Sequence, residues 1–187
     1  RKNRPGKKPQ GFKRRKRKGF QGDKGPLKPA ALRIDYEALP RELDAEGMEE
    51  LIASLPKTRK RKAPPEADHD ALLAMHLNEM HELAEELEIE DFHGRNRREA
   101  IWEITNHRLR NRVPVRVRGV VDVWDNKHVF LRTAFTDYMP AEEDVFVPHS
   151  MADEYGMAKG MTLEGLLRPV GEGEKYFCLS ELTAIDG

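Results

Sequence analysis

A single cysteine, Cys178, in 187 residues excludes an internal disulfide and any cysteine-rich zinc site. Histidine offers no metal spacing either: His69, His76, His81, His93, His107, His128 and His149 include no i, i+4 pair and have no cysteine partner. Nowhere does the chain approach the roughly 20 consecutive apolar residues that a bilayer-spanning helix needs. No hydrophobic segment resembles a secretory signal, so the expected location is cytoplasmic. The chain opens on Arg1 rather than Met, which suggests a fragment or a processed product.

Net charge is also lacking, at a formal value of zero, but the balance is uneven along the chain. Residues 1–28 hold 13 Lys and Arg against one acid, Asp23, so this stretch carries +12 and the remaining 159 residues carry −12. Its large apolar residues are Phe12, Phe20 and Leu27, too few to offset the entropy of ordering. It reads as a disordered basic arm in which Arg14, Arg15, Lys16, Arg17 and Lys18 contact backbone phosphates of a polyanion by counterion release. A solubility or localisation tail is the plainer alternative.

Residues 30–62 give a weak signal. Met48, Leu51, Ile52 and Leu55, ended by Pro56, allow a short helix at 46–55 that folds only on a partner. A second basic cluster at 57–62 meets Ala63-Pro64-Pro65, a linker boundary. Arm and linker therefore take residues 1–65.

Leu77, Met80, Leu83, Ala84 and Leu87 recur at helical spacing with acids between them, predicting one amphipathic helix over 71–87, capped by Asp68 or Asp70. After a turn at Asp91-Phe92-His93-Gly94, Ala100, Ile101, Ile104 and Leu109 mark a second helix. Its exposed side would carry Arg95, Arg97, Arg98, Arg108, Arg110 and Arg112. Residues 66–112 thus form a small helical subdomain. Val113, Val115, Val117, Val121 and Val123 then alternate, with Gly119 marking a bulge or sharp bend. Four or five strands in 113–187 and a Gly/Pro-rich loop at 168–173 fit a five-stranded Greek-key barrel of the OB type, with an SH3-like barrel as the rival. The fold class is α+β.

Alternation in Lys127-His128-Val129-Phe130-Leu131-Arg132 sends Val129 and Leu131 to one face and His128, Phe130 and Arg132 to the other. Around Val145 and Val147 it turns Asp144 and Phe146 outward, and it separates Glu174 and Tyr176 from Phe177 on a further strand. With matching register, one sheet face carries Phe130, Phe146 and Tyr176 among Arg132, Asp144 and Glu174. Left exposed to water, such rings form a base-stacking platform, each worth about 1 to 3 kcal/mol per base.

These residues resemble a known family. From about Leu77 onward the chain is similar to the RNA-binding region of Rho-type transcription termination factors. The helical part, 77–87 followed by 97–104, looks like the family's helical subdomain. Phe130-Leu131-Arg132, Glu143-Asp144-Val145-Phe146-Val147-Pro148 and Gly171-Glu172-Gly173-Glu174-Lys175-Tyr176-Phe177 follow its cold-shock-like barrel in order and spacing. The resemblance implies a primary site for single-stranded, pyrimidine-rich RNA, cytosine above all. Phe130 would stack one base; Phe146, Glu174 and Tyr176 would wall a pocket for another; Arg132 and Asp144 would read that base's edge. Lys127 and His128 stand where the family has the first residues of Gly-Phe-Gly-Phe, and Phe146 replaces the tyrosine of Asp-x-Tyr. His128 still stacks as a smaller ring, and a phenolic hydroxyl is lost at Phe146.

The family's hexameric motor needs a G-x-x-x-x-G-K-[ST] loop, which does not occur here. The resemblance therefore implies no catalytic residue and no cofactor in this chain. ATP and Mg²⁺, like a homohexamer, are expected only with a C-terminal motor domain, and RNA polymerase is a further partner that the family admits. Two rivals remain. Glu142, Glu143 and Asp144 near Glu174 suggest a metal-dependent nuclease, but three consecutive residues do not converge on one cleft. A duplex-DNA or ribosome-associated protein would instead use the basic arm and the arginine-rich helix on phosphates alone.

Overall fold

The computed structural model describes residues 34–56, 65–124 and 127–186. Arg14, Arg15, Lys16, Arg17 and Lys18 and the basic cluster at 57–62 lie outside them. In chain order the elements are a 3-10 turn (Tyr36–Ala38), α1 (Ala45–Ser54), β1 (Ala67–Asp68), α2 (His69–Ala74), α3 (Leu77–Glu86), α4 (Arg97–Arg110), β2 (Val115–Trp124), β3 (His128–Arg132), a second 3-10 turn (Ala134–Thr136), β4 (Val145–Val147), α5 (His149–Glu154), β5 (Thr162–Arg168) and β6 (Cys178–Asp186). The fold is α+β, with a helical part before an OB-type barrel. Among the described residues no helix is long and apolar enough to cross a membrane.

The helix expected over 71–87 is two helices. Met75 and His76 take extended backbone, ending α2 and starting α3. Side chains supply the partners that the broken ladder loses. Asp68 accepts from the amides of Asp70 and Ala71, the Glu79 carboxylate accepts the His76 amide, and the Arg97 guanidinium donates to the carbonyls of Leu73 and Met75. The fixed fork of arginine suits two carbonyls, two residues apart, that a straight helix would have used internally. α4 opens on a reciprocal cap, with Asn96 Oδ1 accepting from the Glu99 amide at 3.0 Å and Glu99 Oε2 from the Asn96 amide at 2.9 Å. The helices bury Leu72, Leu73, Met80, Ala84, Phe92, Ala100, Ile101 and Ile104 against one another.

β2, β3, β4, β6 and β5 hydrogen-bond in that order, and β5 closes back onto β2. All pairs are antiparallel except β4 with β6. The short β1 adds in parallel to β2 and ties the helices to the barrel. β2 serves two neighbours, β5 over residues 116–120 and β3 over residues 120–124. The bend expected at Gly119 falls at this change of partner, where a Cβ would sit 2.4 Å from the Arg132 carbonyl oxygen. The interior takes Val115, Val117, Val121, Val129, Leu131, Val145, Val147, Leu163, Leu167, Phe177 and Leu179, with Leu109 from α4 sealing one end. Residues 174–177, expected as strand, form the approach to β6 after a turn in which Gly173 has φ +82°.

Candidate nucleic-acid interface

Register on the barrel brings the expected rings together. Phe130 of β3 lies directly opposite Phe146 of β4, and Phe146 pairs with Cys178 at the start of β6, two residues after Tyr176. Phe130 meets Phe146 edge-on at 5.8 Å and Tyr176 at 5.9 Å between centroids, both within the range of favourable ring pairs. None of the three belongs to the barrel interior. With Cys178 they form a separate cluster on the opposite side of the sheet from Val129 and Leu131.

The cluster is not wet. Phe130 is 2% exposed, Phe146 3% and Tyr176 6%, which corrects the expectation of an open platform. Ile34, Leu39 and Trp124 pack over the rings. Ile34 and Leu39 come from residues 34–42, a strap read from sequence as part of the arm, and it lies against the barrel through several anchors. Lys175 donates its amide to the Ala38 carbonyl at 2.9 Å and its ammonium to the Asp35 carboxylate at 2.7 Å. The Asp35 amide donates to the Tyr176 hydroxyl at 3.3 Å, and the His149 amide to Glu42 Oε1 at 2.5 Å. The physical reason is burial: three uncovered rings are costly in water, and the strap's apolar residues are long enough to cover them.

The polar groups beside the rings are buried as well. Arg132 hydrogen-bonds Asp144 and reaches Asp122 Oδ2 through Nε at 3.2 Å and Nη2 at 3.0 Å. Burial opposes ionisation of Asp122, yet hydrogen bonds from Lys159 and Arg132 outweigh it and hold the carboxyl below its ordinary value. Glu174 is more heavily engaged. Arg168 grips it with two parallel bonds of 2.8 Å, and the amides of Gly171 and Arg41 donate to it at 2.7 and 2.8 Å. Burial again raises its pKa, and these donors more than reverse the effect. Arg168 also donates to the Arg41 carbonyl at 3.1 Å. Sequence reasoning missed Arg168, Asp122 and Trp124. Their signal was phase alone: Asp122 and Trp124 alternate with the core valines of β2, and Arg168 ends β5.

His128 is half-buried, with its ring 5.2 Å from Tyr36 of the strap and 5.7 Å from His149, while Lys127 is exposed. The three acids at 142–144 diverge: Glu142 pairs with Arg98, Asp144 with Arg132, and Glu143 is half-buried. The arginine face expected on the second helix is divided: Arg98, Arg110 and Arg112 stay exposed, and the others are half-buried. Arg97 binds the α2 carbonyls and lies 4.6 Å over Phe135, Arg98 holds Glu142, Arg95 sits 3.4 Å from Glu103, and Arg108 is half-buried.

This barrel and its ring cluster coincide with a known domain. The family described as "Rho termination factor, RNA-binding domain" matches residues 117–187. Transcription termination factor Rho of Aquifex aeolicus is 32% identical over 111 residues, covering 59% of this chain and 26% of that protein. The Rho of Neisseria gonorrhoeae is 27% identical over 116 residues, 62% of this chain and 28% of its own length. That of Rhodopirellula baltica is 25% identical over 165 residues, 81% of this chain and 32% of its own. The chain thus spans about a third or less of these relatives. Residues 117–187 belong to the family of Rho RNA-binding domains.

Proposed function

We propose that this chain binds single-stranded RNA, preferring pyrimidine and especially C-rich sequence, as the primary RNA site of a Rho-type termination factor. RNA as the partner is supported by the domain match over 117–187 and by the Rho relatives. The base-reading part rests on one observation: Phe130, Phe146 and Tyr176 gather on the outer side of the barrel with Arg132, Asp144 and Glu174 at their edge. Phe130 stacks one base, and Phe146, Glu174 and Tyr176 wall a second position. Arg132 donates to the carbonyl acceptor of cytosine, and Asp144 accepts from its exocyclic amine. Lys127 and His128 contribute charge and a further ring at the rim.

On this reading ATP hydrolysis with its Mg²⁺, hexamer assembly and contact with RNA polymerase are properties of a whole cytoplasmic factor whose motor these residues do not contain. The phosphate-only alternative would use the basic arm together with Arg98, Arg110 and Arg112, which remain exposed. Competition decides between them. At moderate salt, unlabelled C-rich RNA should displace a bound C-rich probe at least about tenfold more effectively than A-rich RNA or duplex DNA. That is the discrimination a single lost edge contact of 1 to 3 kcal/mol produces. Equal displacement by all three would assign binding to the backbone alone.

A further inference from the structure

We propose that residues 34–42 are an intramolecular occupant of the base site, which RNA must displace; the inference rests on the RNA-binding reading above. Several anchors of the strap are groups that reading assigns to RNA. Ile34 and Leu39 cover Phe130, Phe146 and Tyr176; the Asp35 amide meets the Tyr176 hydroxyl; Tyr36 leans on His128. The polar contact follows the chemistry of a base edge. Arg41 presents its backbone N–H to the Glu174 carboxylate and its backbone C=O to the Arg168 guanidinium. A peptide N–H beside its own C=O offers a donor and an acceptor side by side, as the amino and carbonyl edge of a pyrimidine does.

The strap is also built to leave. No residue of 34–42 enters the barrel interior, and the strands close on one another without it. Its regular structure is a three-residue turn, Tyr36–Ala38. Its ion pair, Asp35 with Lys175, is solvent-exposed and so contributes little to holding it. Tyr36, Glu37, Arg41 and Glu42 remain exposed. Release uncovers the ring cluster, and stacked bases re-cover it, so the apolar surface is buried in either state. RNA affinity is then reduced by the fraction of molecules in which the strap is open.

The test uses the full chain and a double variant, Asp35→Ala with Leu39→Ser, which removes one anchor and one cover. Binding of labelled oligo-cytidine is followed by fluorescence anisotropy, and amide hydrogen exchange is followed at Arg41, Lys175 and β3. The variant should bind about tenfold more tightly, as expected when the open fraction rises tenfold. In the unaltered chain, saturating oligo-cytidine should strip protection from the Arg41 and Lys175 amides while β3 stays protected. An equal or weaker affinity in a variant whose β3 amides remain protected overturns the proposal and leaves the RNA reading standing. So does a saturated complex whose Arg41 and Lys175 amides stay protected. If the variant loses β3 protection, the exchange result on the unaltered chain decides alone. If neither protein binds oligo-cytidine, the RNA reading falls and takes this inference with it.

Discussion

His69 shows how one buried ring ties the helices to the barrel. It opens α2 fully buried, with Nδ1 3.3 Å from the Thr105 hydroxyl of α4 and its ring edge-on to Phe177 of the barrel interior at 5.7 Å. Burial, reinforced by the charge of Arg108 and opposed by Asp68, pushes its pKa from 6.5 down to about 4. The folded state therefore prefers the neutral ring, whereas the unfolded chain takes up a proton as pH falls below 6.5. Stability from this residue is complete above pH 6.5 and drains away as pH falls towards 4. Between pH 6.5 and 5 the loss should be about 2 kcal/mol, since each pKa unit is worth about 1.4 kcal/mol. Asp122 and Glu174, held below their ordinary values, surrender their contribution only at lower pH. Urea titrations at pH 7 and 5 check this: His69→Asn should be less stable at pH 7 but lose much less on acidification. Parallel losses in both proteins would place the proton elsewhere.

Among the elements, β2 carries the strictest demand on a single position. At Gly119 an added methyl would lie 2.4 Å from the Arg132 carbonyl oxygen and 2.8 Å from the Leu131 side chain. Gly119→Ala should therefore force β2 and β3 apart and cost about 3 kcal/mol or more in thermal or urea unfolding. A loss below about 1 kcal/mol would mean the strand shifts to accommodate it. This bend was legible because a glycine interrupts a run of alternating valines, and the same two-residue period sorted Val129 and Leu131 from Phe130 on β3. Local pattern reaches no further. The break at Met75–His76 has neither proline nor glycine to announce it, and its carbonyls are satisfied by Arg97, 22 and 24 residues away. The strap was less visible still. Nine residues hold no period to read, and their partners Tyr176 and Glu174 lie 141 and 133 residues along the chain. The gathering of Phe130, Phe146 and Tyr176 was thus legible and their cover was not, because covering is a long-range act that short apolar segments do not advertise.

For the molecule as a whole, the zero net charge conceals two stretches of opposite sign. Residues 29–187 carry −12, a net charge that would repel any approaching polyanion, while residues 1–28 carry +12. Affinity and base choice should then be separable. On the proposed function, lysines and arginines of the arm would supply attraction that any polyanion feels, and the ring cluster would supply preference among bases. Replacing Arg14, Arg15, Lys16, Arg17 and Lys18 with serine in the full chain tests the division. If all five neutralise phosphates on single-stranded RNA, the slope of log affinity against log salt should flatten by about 3.5, at about 0.7 per contact. The ratio of C-rich to A-rich affinity at any one salt concentration should not change, because no group at Phe130, Phe146 or Tyr176 is touched. Loss of that ratio together with the charges would show the arm reading bases, and a slope left unchanged would show the five residues making no phosphate contact.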